Sequence, residues 1–493
     1  MKRAVLAICL ALLLSDFAHT QEPPPAEALK RLDAAAAEAA KAGAPFHMFS
    51  AWLDALNADD PSMHRQFLEQ HFARGVEGSL VRLRENSHGL ELRALEEATA
   101  TSITGLVQER DSDNFLRFTV VVEPDRPDFI KDLQIFYTPR PADFPPPHLT
   151  EAQIFAALDA KLAKDSAEDR FSGTVLVTKR GKAVYRAAVG LANRDKKIPN
   201  RLDTRFDIGS MSKMFTATAV LQLVQAGKIK LSDPIGTYLP DYPNRDVATK
   251  VTIEHLLTHT GGTGNIFGPE FDAHRNELRT HADYVKLFGA RAPAFEPGSR
   301  FEYSNYGMLL LGAVIEKVSG QSYYDYVEQH VFRPAGMKHT GSEPLEEHRE
   351  DSAIGYMRTP EGGRKPNIEL MAYRGNAAGG GFSTVGDLAK FAAALSANRL
   401  LTPANTQLLT TGKVDSPIGG KYAFGFVDRR EREGWFGHDG GAPGVNGVLM
   451  IFPKSGYVVA VLSNFDPPFA GRIGIYLALR LENRIDAATA SRP

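Results

Sequence analysis

Cysteine is almost absent from this chain, which has one cysteine among its 493 residues, at position 9. A single thiol excludes an internal disulfide framework and any zinc or iron–sulfur site that needs several thiolates. An excess of charge of one sign is also missing, because 57 lysines and arginines face 59 aspartates and glutamates, for a formal net charge of −2. The chain therefore has no global basic field that would attract nucleic acid or anionic lipid.

Long apolar runs are equally scarce beyond the first residues. The best of them, residues 307–315, has about half of the ~18 apolar residues that a membrane span requires. We therefore expect no stable membrane insertion and no nucleic-acid partner. The composition, with 43% hydrophobic and 24% charged residues, is that of an ordinary globular protein, and the length predicts two or three folding units.

The N-terminus carries the order of features found in a secretion signal. Lys2 and Arg3 precede an apolar run over residues 4–14, and small and polar residues follow around residues 18–20. This pattern predicts a signal peptide over residues 1–20 that is cleaved on export, rather than a buried N-terminal helix. Its removal would leave a mature chain without cysteine. An exported chain without cysteine is typical of a periplasmic or secreted bacterial protein.

Residues 21–138 predict a small α+β accessory domain. Apolar side chains at helical spacing around Trp52 and Leu68 predict helices, whereas Leu116, Phe118 and Val120 share one face of a strand. Helices followed by an antiparallel meander form an α+β layer. That order resembles the nuclear-transport-factor-2-like domains, which often enclose a pocket for a small ligand. A spacer or dimerisation module is the alternative, since a fold alone does not give a function.

Five prolines within residues 139–148 predict an extended linker, and residues 149–487 then form one large domain. That domain has two strand candidates near each end, with mostly helical sequence between them. The strand candidates are residues 173–178, 183–189, 447–452 and 457–463. The predicted fold class is α/β in the α+β sense: one antiparallel sheet built from the two ends of the domain and flanked by helices, plus a helical subdomain.

Ser210 and Lys213 are the strongest local candidates for catalysis. They lie three residues apart at the start of an apolar helix, so their side chains share one face. A buried ammonium group loses solvation, its pKa falls, and it can then take a proton from a neighbouring hydroxyl. The backbone N–H of Ser210 would also be free to bind an oxyanion at the helix start. Read alone, the pair is more simply explained by a capping serine and a surface lysine.

Two further motifs favour a catalytic role for Ser210 and Lys213. Tyr303 and Asn305 stand in a turn before an apolar helix, where a phenol can relay a proton and an amide can hold a lysine or a substrate carbonyl. His438 precedes Gly440 and Gly441, where glycine permits close approach of a substrate. The Gly441 N–H could supply the second oxyanion donor.

Together the three motifs resemble those of the serine β-lactamase and penicillin-binding-protein family over about residues 150–485. The supporting phrases are His255-Leu-Leu-Thr-His-Thr-Gly-Gly262, Gly379-Gly-Gly-Phe-Ser-Thr-Val-Gly-Asp387 and Leu231-Ser-Asp-Pro234. The pattern is most similar to the class C-like branch of esterases, D-aminopeptidases and D-Ala carboxypeptidases.

The resemblance implies that Ser210 is the nucleophile, that Lys213 and Tyr303 share general acid–base duty, and that Asn305 orients Lys213 and the substrate. It implies neither a metal nor an organic cofactor. His438 stands where many β-lactamases carry lysine. A histidine with an ordinary pKa near ~6.5 is only partly cationic at neutral pH, so it would be a weaker anchor for a substrate carboxylate.

We therefore expect an exported serine hydrolase that acts through a Ser210 acyl-enzyme on peptide, ester or amide substrates. Its partner would be a small molecule or short peptide, and the sequence leaves the oligomeric state open. A true β-lactamase and a non-catalytic cell-wall peptide-binding protein of the same fold are the alternatives. No Gly-x-Ser-x-Gly motif occurs, which disfavours an α/β-hydrolase.

Overall fold

The structure is a computed structural model that describes residues 31–72, 77–110, 112–347, 351–359, 362–417 and 419–484. Within these residues the chain folds into two compact units, residues 31–147 and residues 148–484. The signal peptide predicted for residues 1–20 lies outside the described residues. None of the described helices is both long and apolar enough to cross a membrane.

The N-terminal unit contains helices followed by a meander of strands. Its helices are α1 Ala34–Lys41, α2 Ala44–Asn57, α3 Pro61–His71 and α4 Glu77–Ser87, and its strands are β1 Leu90–Ala98, β2 Ser102–Glu109, β3 Phe115–Glu123 and β4 Arg126–Thr138. The strands pair antiparallel in chain order. The alternating apolar residues of β3 are buried, and Phe118 stacks on Phe49 of α2 with ring centroids 3.8 Å apart. The predicted α+β layer is confirmed.

The C-terminal unit is built on one eight-stranded antiparallel sheet. Its strands are β5 Gly173–Lys179, β6 Lys182–Val189, β13 Val414–Asp415, β14 Lys421–Tyr422, β15 Val427–Arg429, β16 Trp435–Ala442, β17 Val445–Ile451 and β18 Tyr457–Ser463. They lie in the order β13-β14-β15-β16-β17-β18-β5-β6 across the sheet. Short pairs outside this sheet are β7 Leu191–Asn193 with β8 Ile198–Pro199, β9 Phe206–Asp207 with β12 Phe382–Ser383, and β10 Tyr356–Arg358 with β11 Arg364–Pro366. The predicted antiparallel sheet is confirmed, and β13 to β16 extend it beyond the strands that the sequence pattern indicated.

The helices of this unit lie on both faces of the sheet. They are α5 Glu151–Ala167, α6 Ser212–Gln225, α7 Arg245–Lys250, α8 Ile253–Leu257, α9 Pro269–His274, α10 His281–Phe288, α11 Asn305–Ser319, α12 Tyr323–Val327, α13 Arg333–Ala335, α14 Val385–Ser396, α15 Pro403–Thr410, α16 Arg430–Glu433 and α17 Phe469–Glu482. Successive side chains of a strand point to opposite faces of the sheet, so the core of this unit has two clusters. Val175 belongs to the cluster with α5 and α17, whereas Leu176 belongs to the cluster of the helical subdomain.

Helices α6 and α11 are buried within the core cluster of the helical subdomain. Nearly every residue of α6 from Ser212 to Leu221 is buried, as is α11 from Asn305 to Ile315. A helix that is apolar on all sides must be enclosed by other elements. The first turns of both helices therefore lie inside the unit, and their polar residues need partners there.

Candidate active site

Ser210 lies in a short 3-10 turn, Gly209–Met211, that leads into α6. Gly209 has a φ of +49°, donates its N–H to Asp207 Oδ1 at 2.8 Å, and accepts the Gly380 N–H at 3.1 Å. Burial raises the pKa of Asp207 to about 6, and the hydrogen bond from Gly209 opposes that rise. The turn holds Ser210 half-buried, two residues before the regular helix begins at Ser212.

Lys213 is fully buried one turn after Ser210. Its Nζ lies 3.1 Å from Ser210 Oγ, and it donates to Asn305 Oδ1 at 2.7 Å and to the Ala378 carbonyl at 2.5 Å. Lys213 is therefore not the surface lysine that the spacing of Ser210 and Lys213 alone would suggest. The amine is held by the helix, by Asn305 and by a backbone carbonyl, and its nitrogen is close enough to the Ser210 hydroxyl for proton transfer.

Tyr303 and Asn305 flank the residue that caps α11. Ser304 is the N-cap and its Oγ accepts the Gly307 N–H at 2.8 Å, which fixes the backbone between the two side chains. The half-buried Tyr303 ring faces Lys213, whose Nζ is 4.7 Å from the ring centroid. The one-residue spacing of the motif thus places both side chains beside the same amine.

Asn265 is a part of the site that the sequence did not indicate. Its Oδ1 accepts the Asn305 Nδ2 at 3.0 Å and the Ile266 N–H at 2.8 Å. This bond leaves the Asn305 carbonyl oxygen turned toward Lys213. A lone asparagine in a glycine-rich loop gives no pattern that would separate it from an ordinary turn residue.

The segment around Gly380 forms the opposite wall. Besides the Ala378 carbonyl on Lys213, the Gly380 carbonyl accepts Ser212 Oγ at 2.5 Å, and Gly380 and Gly381 have φ values of +75° and +77°. Only glycine adopts such backbone readily. The wall is therefore tied to α6 at several points, and its contribution to Lys213 is a backbone group that no side-chain motif reveals.

Gly440 and Gly441 bring strand β16 against the nucleophile turn. A Cβ on Gly440 would lie 2.1 Å from the Ile208 carbonyl oxygen, so only glycine permits this approach. A Cβ on Gly209 would lie 3.1 Å from the Gly441 nitrogen. The backbone N–H groups of Ser210 and Gly441 thus belong to two segments that lie side by side. Their role as oxyanion donors stays a prediction.

His438, on the same strand, is only 3% exposed. Its Nε2 is 3.1 Å from the Tyr422 hydroxyl and its Nδ1 is 2.5 Å from the Asp439 carbonyl oxygen. Burial lowers the pKa of His438, with Asp439 acting to raise it and Lys213 to lower it. Both ring nitrogens therefore face protein atoms, which favours a neutral ring that positions Tyr422. Its predicted role in orienting substrate stays a prediction.

The comparisons with known proteins concern the same part of the chain. A family model described as Beta-lactamase matches residues 155–482. Esterase EstB of Burkholderia gladioli is 35% identical over 216 residues, which are 39% of this chain and 53% of that protein. The crystal structure of a penicillin binding protein from Bacillus halodurans is 34% identical, covers 64% of this chain and 98% of its own, and superposes with a TM-score of 0.59. A D-stereospecific amidohydrolase from Streptomyces sp. is 27% identical over 68% of this chain and 98% of its own, with a TM-score of 0.55.

Proposed function

The chain belongs to the β-lactamase family, and we propose that it is an exported serine hydrolase that forms an acyl-enzyme at Ser210. The observation that carries the proposal is the position of Lys213, whose buried Nζ lies 3.1 Å from Ser210 Oγ and 2.7 Å from Asn305 Oδ1. A protein that only binds a ligand has no need for a nucleophile with a base beside it.

In the proposed reaction, Ser210 Oγ forms a bond to the substrate carbonyl carbon while its proton passes to Lys213 or Tyr303. The carbonyl oxygen becomes an oxyanion, for which the Ser210 and Gly441 N–H groups are the donors. The bond to the leaving alcohol or amine then breaks as that group takes up the proton. An ester between Ser210 and the acyl group remains.

The second half of the reaction regenerates the enzyme. Water attacks the acyl carbon and gives its proton to the same base, the bond to Ser210 Oγ breaks, and the serine recovers its proton. The product is a carboxylic acid. Asn305, itself held by Asn265, keeps the amine of Lys213 in place through both halves.

The substrate class that we propose is an ester, an amide or a short peptide. Similarity to an esterase and to a D-stereospecific amidohydrolase supports it. The buried His438 supports it as well, because a neutral ring with both nitrogens on protein atoms is a poor anchor for the carboxylate of a β-lactam.

A substrate panel tests the proposal. Purified protein and its Ser210→Ala variant are assayed with p-nitrophenyl esters, D-amino-acid amides and nitrocefin. We expect turnover of an ester or amide that disappears in the variant, with nitrocefin slower than the best of them. A folded wild-type protein without Ser210-dependent turnover would refute the proposal, and a preference for nitrocefin would refute the substrate class.

A further inference from the structure

His259 occupies a backbone position that a histidine rarely adopts. It follows Thr258, the residue that caps α8, and its φ is +58°. Glycine is common at such a position, whereas a side chain with a Cβ costs about 1 kcal/mol there. The side chain is also buried, with 1% exposed. A strained and buried residue beside candidate catalytic groups calls for a reason.

The hydrogen bonds of His259 hold the backbone on both sides of Tyr303. Its carbonyl oxygen accepts the Glu302 N–H at 2.8 Å, and its Nδ1 accepts the Ser304 N–H at 3.2 Å. Its ring also packs on the Tyr303 ring, with centroids 4.4 Å apart. One residue thus fixes the residue before Tyr303, the residue after it and the phenol ring itself.

The protonation state of His259 follows from these bonds. Because Nδ1 accepts a hydrogen bond, the ring proton must lie on Nε2, which is buried and has no hydrogen-bond partner in the described part of the chain. Burial, reinforced by Lys213 on α6 and His438 on β16, holds the pKa of His259 well below its usual range. The ring also contacts the aromatic rings of Phe301, Tyr303 and Tyr422. The ring therefore stays neutral and keeps its bond to Ser304.

We propose that His259 is a positioning residue that aligns Tyr303 with Ser210 and Lys213. The inference rests on the proposed function, since alignment matters only if Tyr303 transfers a proton. It explains why the chain keeps a histidine where glycine would relieve the backbone, and why an unpaired nitrogen is tolerated in the interior. A small misplacement of a proton-transfer group lowers the rate far more than it lowers the stability.

Three substitutions separate positioning from packing. His259→Gly suits the left-handed backbone but removes the acceptor and the ring. His259→Asn also tolerates that backbone, and its Oδ1 lies where Nδ1 was, so it can still accept the Ser304 N–H. Tyr303→Phe removes the hydroxyl that the histidine is proposed to align.

The experiment measures steady-state hydrolysis of p-nitrophenyl butyrate together with thermal unfolding. We expect His259→Gly to fold and to lose about 10- to 100-fold in kcat with KM within about 3-fold, and His259→Asn to recover most of that loss. In a Tyr303→Phe background, His259→Gly should have little further effect, because the aligned hydroxyl is already gone.

Three results would overturn the inference. His259→Gly with the kcat of the wild type would do so, as would His259→Asn that is folded but no better than glycine. Losses that multiply in the double variant would also contradict it. Absence of Ser210-dependent turnover of every substrate in the panel would instead overturn the proposed function, and the inference with it, so the two failures are distinguishable.

Discussion

Several buried polar groups of the N-terminal unit pair with one another across its sheet. Glu96 of β1, with 3% of its side chain exposed, binds Arg117 of β3 at 2.7 Å. Glu109 at the end of β2 accepts from Asn114 at 3.1 Å and from the Tyr137 hydroxyl at 3.0 Å. The first contact joins β1 to β3 and the contact with Tyr137 joins β2 to β4, so each spans one intervening strand of the meander. Such pairs keep a fold in register without creating a reactive centre.

In the C-terminal unit, one set of buried polar groups instead converges on a single amine. Ser210, Asn305 and the Ala378 carbonyl come from three separate segments, and all three meet Lys213 Nζ. Asn265 joins from a fourth segment through Asn305. Local pairing stabilises, whereas convergence from distant parts of the chain places groups that can exchange a proton. This difference supports the proposal that the chemistry lies in the C-terminal unit.

The largest effect is expected from removing the amine at the point of convergence. Lys213→Ala should lower the rate of Ser210 acylation by at least about 10²-fold, because the serine loses one of its two proposed general bases. Burst kinetics with a p-nitrophenyl ester measure that rate. The matched control is Lys182→Ala, at an exposed lysine of the same unit, which should leave the rate unchanged. Near-normal acylation in Lys213→Ala would break the contrast between the two units.

A smaller effect is expected from removing Asn265, which is linked to Lys213 through the hydrogen bonds of Asn305. Asn265→Ala frees the Asn305 amide to rotate, so kcat should fall about 10-fold while the protein stays folded. The control is Asn244→Ala, which removes the Oδ1 that caps α7 at 3.0 Å from the Val247 N–H. It should lower the melting temperature without changing kcat. Equal kcat values for both variants would show that Asn265 is an ordinary loop residue.

The smallest effect on catalysis is expected from His64 of the N-terminal unit, which is 1% exposed and has neither ring nitrogen hydrogen-bonded within the described residues. Burial, with Arg84 acting in the same direction, lowers the pKa of His64 to about 4. Unfolded histidine, with a pKa near ~6.5, binds a proton more readily, so this contribution to stability is complete above that pH. It is lost as the pH falls toward 4, by up to about 3 kcal/mol.

The fluorescence of Trp52 in a Trp435→Phe background follows unfolding of the N-terminal unit, because these are the two tryptophans of the chain. His64→Gln should flatten the pH dependence of stability between pH 6.5 and 4, whereas His47→Gln, at an exposed histidine, should leave it intact. Ester turnover at pH 7 should change in neither variant. A loss of turnover in His64→Gln would place part of the chemistry in this unit.

The sequence predicts the site as far as side chains in regular patterns define it. The three-residue spacing of Ser210 and Lys213 on an apolar helix, and Tyr303 and Asn305 around a cap, follow from helix geometry. The Ala378 carbonyl could not be predicted, because nothing in the residue type of Ala378 indicates where its carbonyl points. The burial of His438 against Tyr422 also depends on strand packing over a 16-residue separation that motifs do not encode.

The fold, like the site, has parts that the sequence predicts and parts that it does not. Strands with clean alternation or continuous apolar sequence, such as β5 and β18, were predictable from their period. The edge strand β13 and its neighbour β14 span two residues each, too short for any period to be read. They belong to the sheet because tertiary pairing supplies what local sequence does not.

The most direct test of the central claim is a mass measurement on the intact protein after treatment with a fluorophosphonate. We predict one covalent adduct per chain, mapped by peptide fragmentation to Ser210, and its loss in Ser210→Ala although that variant remains folded. An adduct at another residue, or no adduct on a folded wild-type protein, would contradict the assignment of Ser210 as an activated nucleophile.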